Sequence, residues 1–141
     1  MSSYKAQVIG FEQTFRIGED AYFTSVAPET SFVVSFEDDT ETGYFYAVAV
    51  GEQMRILDAL HIYNVIDVIH RDKPCQIQIM WTEDGLVASL LINGYCQGLF
   101  DFSKQEGFCR NNFPESKGEW RQDGSRLLTD EGIAAIFSVQ D

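Results

Sequence analysis

Basic residues are scarce in this 141-residue chain, where Lys and Arg number 10 against 22 Asp and Glu for a formal net charge of -12. DNA, RNA and anionic membranes all reward Lys and Arg, so the balance argues against each as a partner and leaves a cationic protein as the compatible class. Proline is rare too: Pro28, Pro74 and Pro114 stand singly between apolar segments, and no Pro-rich or low-complexity tract marks a linker. The longest uncharged run, residues 85–100, is interrupted by Ser89, Asn93, Gly94 and Gln97 and falls short of the ~20 apolar residues of a spanning helix. The opening residues carry one Lys and no apolar stretch, so neither a signal nor a transit peptide is expected. Three Cys cannot all pair within one chain, and no Asn-x-Ser/Thr sequon occurs. A reducing, cytoplasmic setting is the expectation.

Recurrent chemical motifs are also missing. Neither Gly-x-Gly-x-x-Gly nor Gly-x-x-x-x-Gly-Lys-Ser/Thr is present, so a nucleotide loop is not indicated. Cys75, Cys96, Cys109, His61 and His70 show no Cys-x-x-Cys and no His pair at helical spacing, so no metal is implied. The acidic run Glu37, Asp38, Asp39, Thr40, Glu41 lacks the order of a calcium loop. Catalysis by Cys or Ser beside a His has no signature here, and the chain reads as more consistent with a non-enzyme, with no cofactor implied.

What is present is a folding composition: 45% hydrophobic residues and 13% aromatics place the chain among globular proteins of about one domain, 1–141. Asp84-Gly85 and Asn93-Gly94 are hairpin-turn dipeptides. They define strands near Cys75 to Thr82, Leu86 to Ile92 and Tyr95 to Phe102. Two-residue turns set Trp81, Ile79 and Ile77 opposite Ala88, Leu90 and Ile92, with Cys75 on that face and Cys96 on the other, so these two thiols should not pair.

A second hairpin is expected from the alternation Phe32, Val34, Phe36, followed by the polar run 38–43 and Tyr44 to Val50. Shorter strands fit Gln7 to Phe11 and Ala21 to Val26. Thr129 as N-cap, Asp130 and Glu131 in a first turn, and Ile133, Ile136 and Phe137 on one face predict a short C-terminal helix. Residues 52–63 satisfy either a further helix or a continued meander. The fold expected is α+β, mostly antiparallel sheet.

Two sets of residues carry the functional options. Glu37, Asp38, Asp39 and Glu41 form an acidic turn suited to steering a cationic protein partner, in the manner of an inhibitor or immunity-type module. The alternative is a small-molecule binder or enzyme whose pocket lies near His61, Tyr63, Tyr95 and Arg110. Turn chemistry explains Asn111 and Asn112 beside Arg110 without a ligand.

The phrases Ile56-Leu-Asp-Ala-Leu-His-Ile-Tyr-Asn-Val65, Leu90-Leu-Ile-Asn-Gly-Tyr95, Phe100-Asp-Phe102, Gly107-Phe-Cys-Arg110 and Asn112-Phe-Pro114 together resemble a family of small bacterial proteins of unknown function. The resemblance covers roughly the last two thirds of the chain. It implies a bacterial, single-domain cytosolic protein and transfers no activity and no catalytic residue.

Overall fold

Asn93-Gly94 forms the tight turn its dipeptide predicts, with positive φ at both residues (51° and 80°), whereas at Asp84-Gly85 only Gly85 has positive φ (73°) and residues 83–86 join the two strands. In the computed structural model, which describes residues 3–116, 118–120 and 122–139, these turns sit inside a larger set of antiparallel strands. Along the chain these are β1 (Ser3–Tyr4), β2 (Gln7–Phe15), β3 (Ala21–Val26), β4 (Val33–Asp38), β5 (Thr42–Ala49) and β6 (Arg55–Asn64). There follow β7 (Cys75–Thr82), β8 (Val87–Ile92), β9 (Tyr95–Asp101), β10 (Glu106–Cys109), the helix α1 (Asp130–Phe137) and β11 (Ser138–Val139).

One sheet has the order β3-β4-β5-β6, a second β10-β9-β8-β7-β2, and the short strands β1 and β11 pair with each other. The register β7 to β8 aligns Ile77 with Ile92, Ile79 with Leu90 and Trp81 with Ala88, the pairing expected from centring the reversal on Asp84-Gly85. These side chains face Val34, Phe36, Phe45, Ala47 and Leu60 of the four-stranded sheet in one shared core. Phe45 and Phe100 meet across it with ring centres 5.0 Å apart. Trp81 cannot be buried with its indole N–H unpaired, and it donates to Ser25 Oγ at 2.9 Å from the opposite sheet. Gly10 makes the room: a Cβ there would lie 2.4 Å from that hydroxyl oxygen.

On the outer face of the five-stranded sheet, α1 covers the part formed by β8, β9 and β10. Thr129 caps it, its side chain accepting from the Gly132 N–H, and Phe137 packs with Val87, Leu99 and Leu128 in a second cluster to which Ile133 and Ile136 add. Cys96 belongs to this cluster and Cys75 to the edge of the main core, and all three thiols are free. No helix among the described residues is long and apolar enough to cross a membrane.

One strand runs longer than expected, and residues 52–63 take one of the two forms expected of them. Strand β2 continues past Phe11 to Phe15 because Phe11 and Phe15 both reach the core, while Glu12 on the other face accepts from the amides of Gln76 and Gln78. Residues 52–63 form no helix; from Arg55 onward they belong to the edge strand β6. Its register against β5 slips between Ala47 and Val48 and again between Gly43 and Tyr44, leaving Leu57 and Ile62 as extra residues. Those bulges shift apolar positions out of period two and produce the helix-like spacing.

Candidate functional site

The acidic turn between β4 and β5 is two different things in chemical terms. Asp38 is 0% exposed, and its carboxylate accepts from the Gly18 N–H (2.7 Å), the Thr40 N–H (2.8 Å) and the Tyr63 hydroxyl (2.6 Å). Asp39 is exposed but closes the turn, accepting from the N–H groups of Glu41 (2.9 Å) and Thr42 (2.8 Å). Those backbone donors, Thr42 first, hold its carboxyl below the ordinary carboxylate range. Both acids build the turn, but only Asp38 is closed to a partner: the bonds to Asp39 fall on Oδ1, and the residue is exposed. Glu37 and Glu41 remain: Glu41 is exposed, and half-buried Glu37 stands between Tyr22 and Tyr44 in adjacent strands, in one row with His61.

Tyr63 reaches Asp38 because the bulge at Ile62 turns its ring inward over Gly43, where a Cβ would lie 2.5 Å from the ring. Burial, then the bond to Asp38, pushes its phenol far above the ordinary tyrosine value. The hydroxyl is therefore a structural donor.

Beside this turn lies a cleft of about 590 Å³ lined by Tyr44, His61, Tyr63, Asn64, Asp67, Val68, Asn111, Phe113 and Thr42. The edge of β6 is extended there by the segment after β10, since the His61 N–H donates to the Phe113 carbonyl at 3.0 Å. Asn111 Oδ1 accepts from the Phe113 N–H (3.1 Å) and the Cys109 thiol (3.2 Å), which directs its amide Nδ2 to His61 Nδ1. The other ring nitrogen, Nε2–H, donates to Asn64 Oδ1 at 3.0 Å, and Asn64 Nδ2 donates to Asp67 Oδ2 at 3.2 Å. The chain Asn111, His61, Asn64, Asp67 runs donor to acceptor in one direction and satisfies the imidazole as the Nε2–H tautomer. Tyr44 and Phe113 pack edge-to-face on the same ring, 5.3 and 5.9 Å away.

His61 and Tyr63 thus share the cleft, but Tyr95 and Arg110 do not. The Arg110 guanidinium lies 5.3 Å from the centre of the Tyr95 ring, donates to the Cys96 carbonyl at 2.9 Å and pairs with Asp130 at 3.0 Å. It fastens β9 and β10 to the first turn of α1, so these four residues form no common pocket. His70 is exposed with positive φ, and among the described residues no three His, Cys, Asp or Glu side chains gather as a metal-holding group.

Sequence reasoning missed Tyr44, Asn64 and Asp67 as cleft residues and read Asn111 as a turn residue and Phe113 as core. It also missed the buried ion pair in which Arg126 Nη2 lies 2.5 Å from Asp58 Oδ2, while Arg126 Nε donates to the Gly107 carbonyl and Nη1 to the Pro114 carbonyl. The one available signal was Asn111-Asn112 before Pro114, which marks a turn but not what the amides reach.

A family described as an uncharacterized protein conserved in bacteria (DUF2251) matches residues 15–137. The chain belongs to this family. Within the DUF2251 match lie the acidic turn, the cleft and the Arg110 anchor. An uncharacterized protein from Haemophilus influenzae is 45% identical over 85 residues, 60% of this chain and 53% of that protein, so the chain spans about half the length of the curated relative it matches. No solved structure matches the chain.

Proposed function

We propose that this DUF2251 protein is a non-catalytic binding module that takes a cationic protein partner on the open side of the four-stranded sheet. The observation that carries this reading is the state of the cleft's reactive groups: both ring nitrogens of His61 are engaged by Asn64 and Asn111, and the Tyr63 hydroxyl by Asp38. A general acid or base needs a nitrogen or hydroxyl free to meet its substrate. What the surface does offer is negative charge beside aromatic rings, from Glu37, Glu41 and Asp67 together with Tyr22, Tyr44 and Phe113. Carboxylates with aromatic faces suit Lys and Arg side chains, and a net charge of -12 steers a basic partner toward the molecule.

A fluorescein-labelled peptide of alternating Arg and Ser, titrated at about 20 mM and about 150 mM salt, tests this by anisotropy. Binding should weaken steeply with salt and should weaken further in the double variant Glu37→Gln, Glu41→Gln. Binding unaffected by salt and by both substitutions contradicts the reading.

A further inference from the structure

We infer that the cleft beside the acidic turn receives an arginine side chain of the protein partner, an inference that rests on the binding-module reading above and names the group that the site selects. Asp67 is the only carboxylate among the described residues of its lining, and the neighbouring His61 Nδ1 is taken up by the Asn111 amide. The local field is therefore negative. One oxygen of Asp67 accepts from Asn64 at 3.2 Å, and a carboxylate has capacity for several more donors, so a forked guanidinium can pair with it while Asn64 holds its orientation.

Tyr44, His61 and Phe113 supply the rest of the wall. A planar, weakly hydrated guanidinium stacks on such rings, whereas an ammonium keeps its water more tightly. The volume of about 590 Å³ accommodates a whole arginine side chain rather than a bare ion.

The occupant belongs to a protein because exposed apolar side chains flank the lining residues Asp67 and Val68 in the chain. Ile66 and Ile69, on either side of Asp67 and Val68 in the chain, are 83% and 79% exposed. Large exposed aliphatic side chains next to a charged cleft are the makings of a protein interface, with the arginine as anchor and an apolar residue of the partner beside it. A second copy of this chain is a poor occupant, since it would set one molecule of net charge -12 against another.

The test uses the full chain, labelled with ¹⁵N, titrated with N-acetyl-arginine amide and separately with N-acetyl-lysine amide. Arginine amide should shift resonances of residues 61–68 and 111–113, lysine amide should bind several-fold more weakly, and Asp67→Asn should weaken arginine binding about tenfold. Because Asp67 is exposed, this variant keeps its thermal unfolding curve, and Phe113→Ala gives a second reading of the same wall. Equal affinity for the two amides, shifts scattered over all exposed acids, or wild-type binding by Asp67→Asn overturns the inference. If the arginine-serine peptide still binds and responds to Glu37→Gln, Glu41→Gln while Asp67→Asn has no effect, the arginine slot fails and the acidic surface stands. If neither peptide nor amide binds, both fail.

Discussion

The hydroxyl of Tyr63 donates to the carboxylate of Asp38 at 2.6 Å across 25 positions of sequence, tying the edge strand of one sheet to its central hairpin. Asp38 is fully buried, so this bond is made in the core and not at a solvated tip. Tyr63→Phe keeps the ring over Gly43 and removes the donor. The loss should be about 1.5–3 kcal/mol, the range for hydrogen bonds to charged groups, as read by urea denaturation. Asp38→Ala should cost more, because it also orphans the Gly18 and Thr40 N–H groups. Equal stability of Tyr63→Phe and wild type would show that the carboxylate does not depend on this donor.

The buried pair Asp58–Arg126 offers a sharper contrast. Both side chains are 3% exposed, and Gly107 leaves space for them, since a Cβ there would lie 2.8 Å from Asp58 Oδ2. Burial pushes the Asp58 carboxyl above its ordinary range more than Arg126 draws it down. Removing one partner strands the other: Arg126→Met should destabilise by about 3–5 kcal/mol, while Asp58→Leu in the same chain should restore part of that. Additive losses in the double variant would mean that the two charges are not energetically coupled.

Acid stability carries a sign that can be checked at Asp84. The Thr82 hydroxyl, at 2.6 Å, and the Leu86 N–H hold its carboxyl below the ordinary value. A group with its folded pKa depressed contributes stability that is full above its unfolded value, about pH 4, and is lost as pH falls through the folded one. Asp39 acts in the same direction and Asp58 in the opposite one, because its folded carboxyl binds a proton more readily. Asp84→Asn should therefore flatten the decline in stability between about pH 5 and pH 3. An unchanged slope would remove Asp84 from the account.

Thiol chemistry reads out the register. Cys109 is fully buried, and burial pushes the Cys96 thiol up to about 11, so both should resist alkylation at about pH 8. Cys75, half-buried at the start of β7, should label first in the native protein, and all three should label after unfolding under non-reducing conditions. Fewer than three thiols in the unfolded chain would require a disulfide, and with it a different strand pairing.

How much of this was legible in the sequence depends on locality. Asp84-Gly85 and Asn93-Gly94 determine register over two or three residues, so the alignment of Ile77, Ile79 and Trp81 on β8 follows by counting. Strand β6 resisted the same treatment because bulges at Leu57 and Ile62 break the alternation by which a strand is recognised. The acidic turn was visible as composition, but which acids face solvent depends on Gly18 and Tyr63, far along the chain. His61 was visible as a lone imidazole, while Asn111, 50 residues away, is what occupies its Nδ1. Likewise Arg110 looked like a ligand-binding cation until Asp130 and the Tyr95 ring were seen to hold it.

The central claim, that a cationic partner sits on the acidic face of the four-stranded sheet, is tested most directly by hydrogen exchange of the full chain with and without the arginine-serine peptide. Slower exchange is expected in residues 39–46, 61–68 and 111–113, with no change around Tyr95, Arg110 and α1. Protection centred on Tyr95 and Arg110, or none on the four-stranded sheet with the peptide bound, would contradict it.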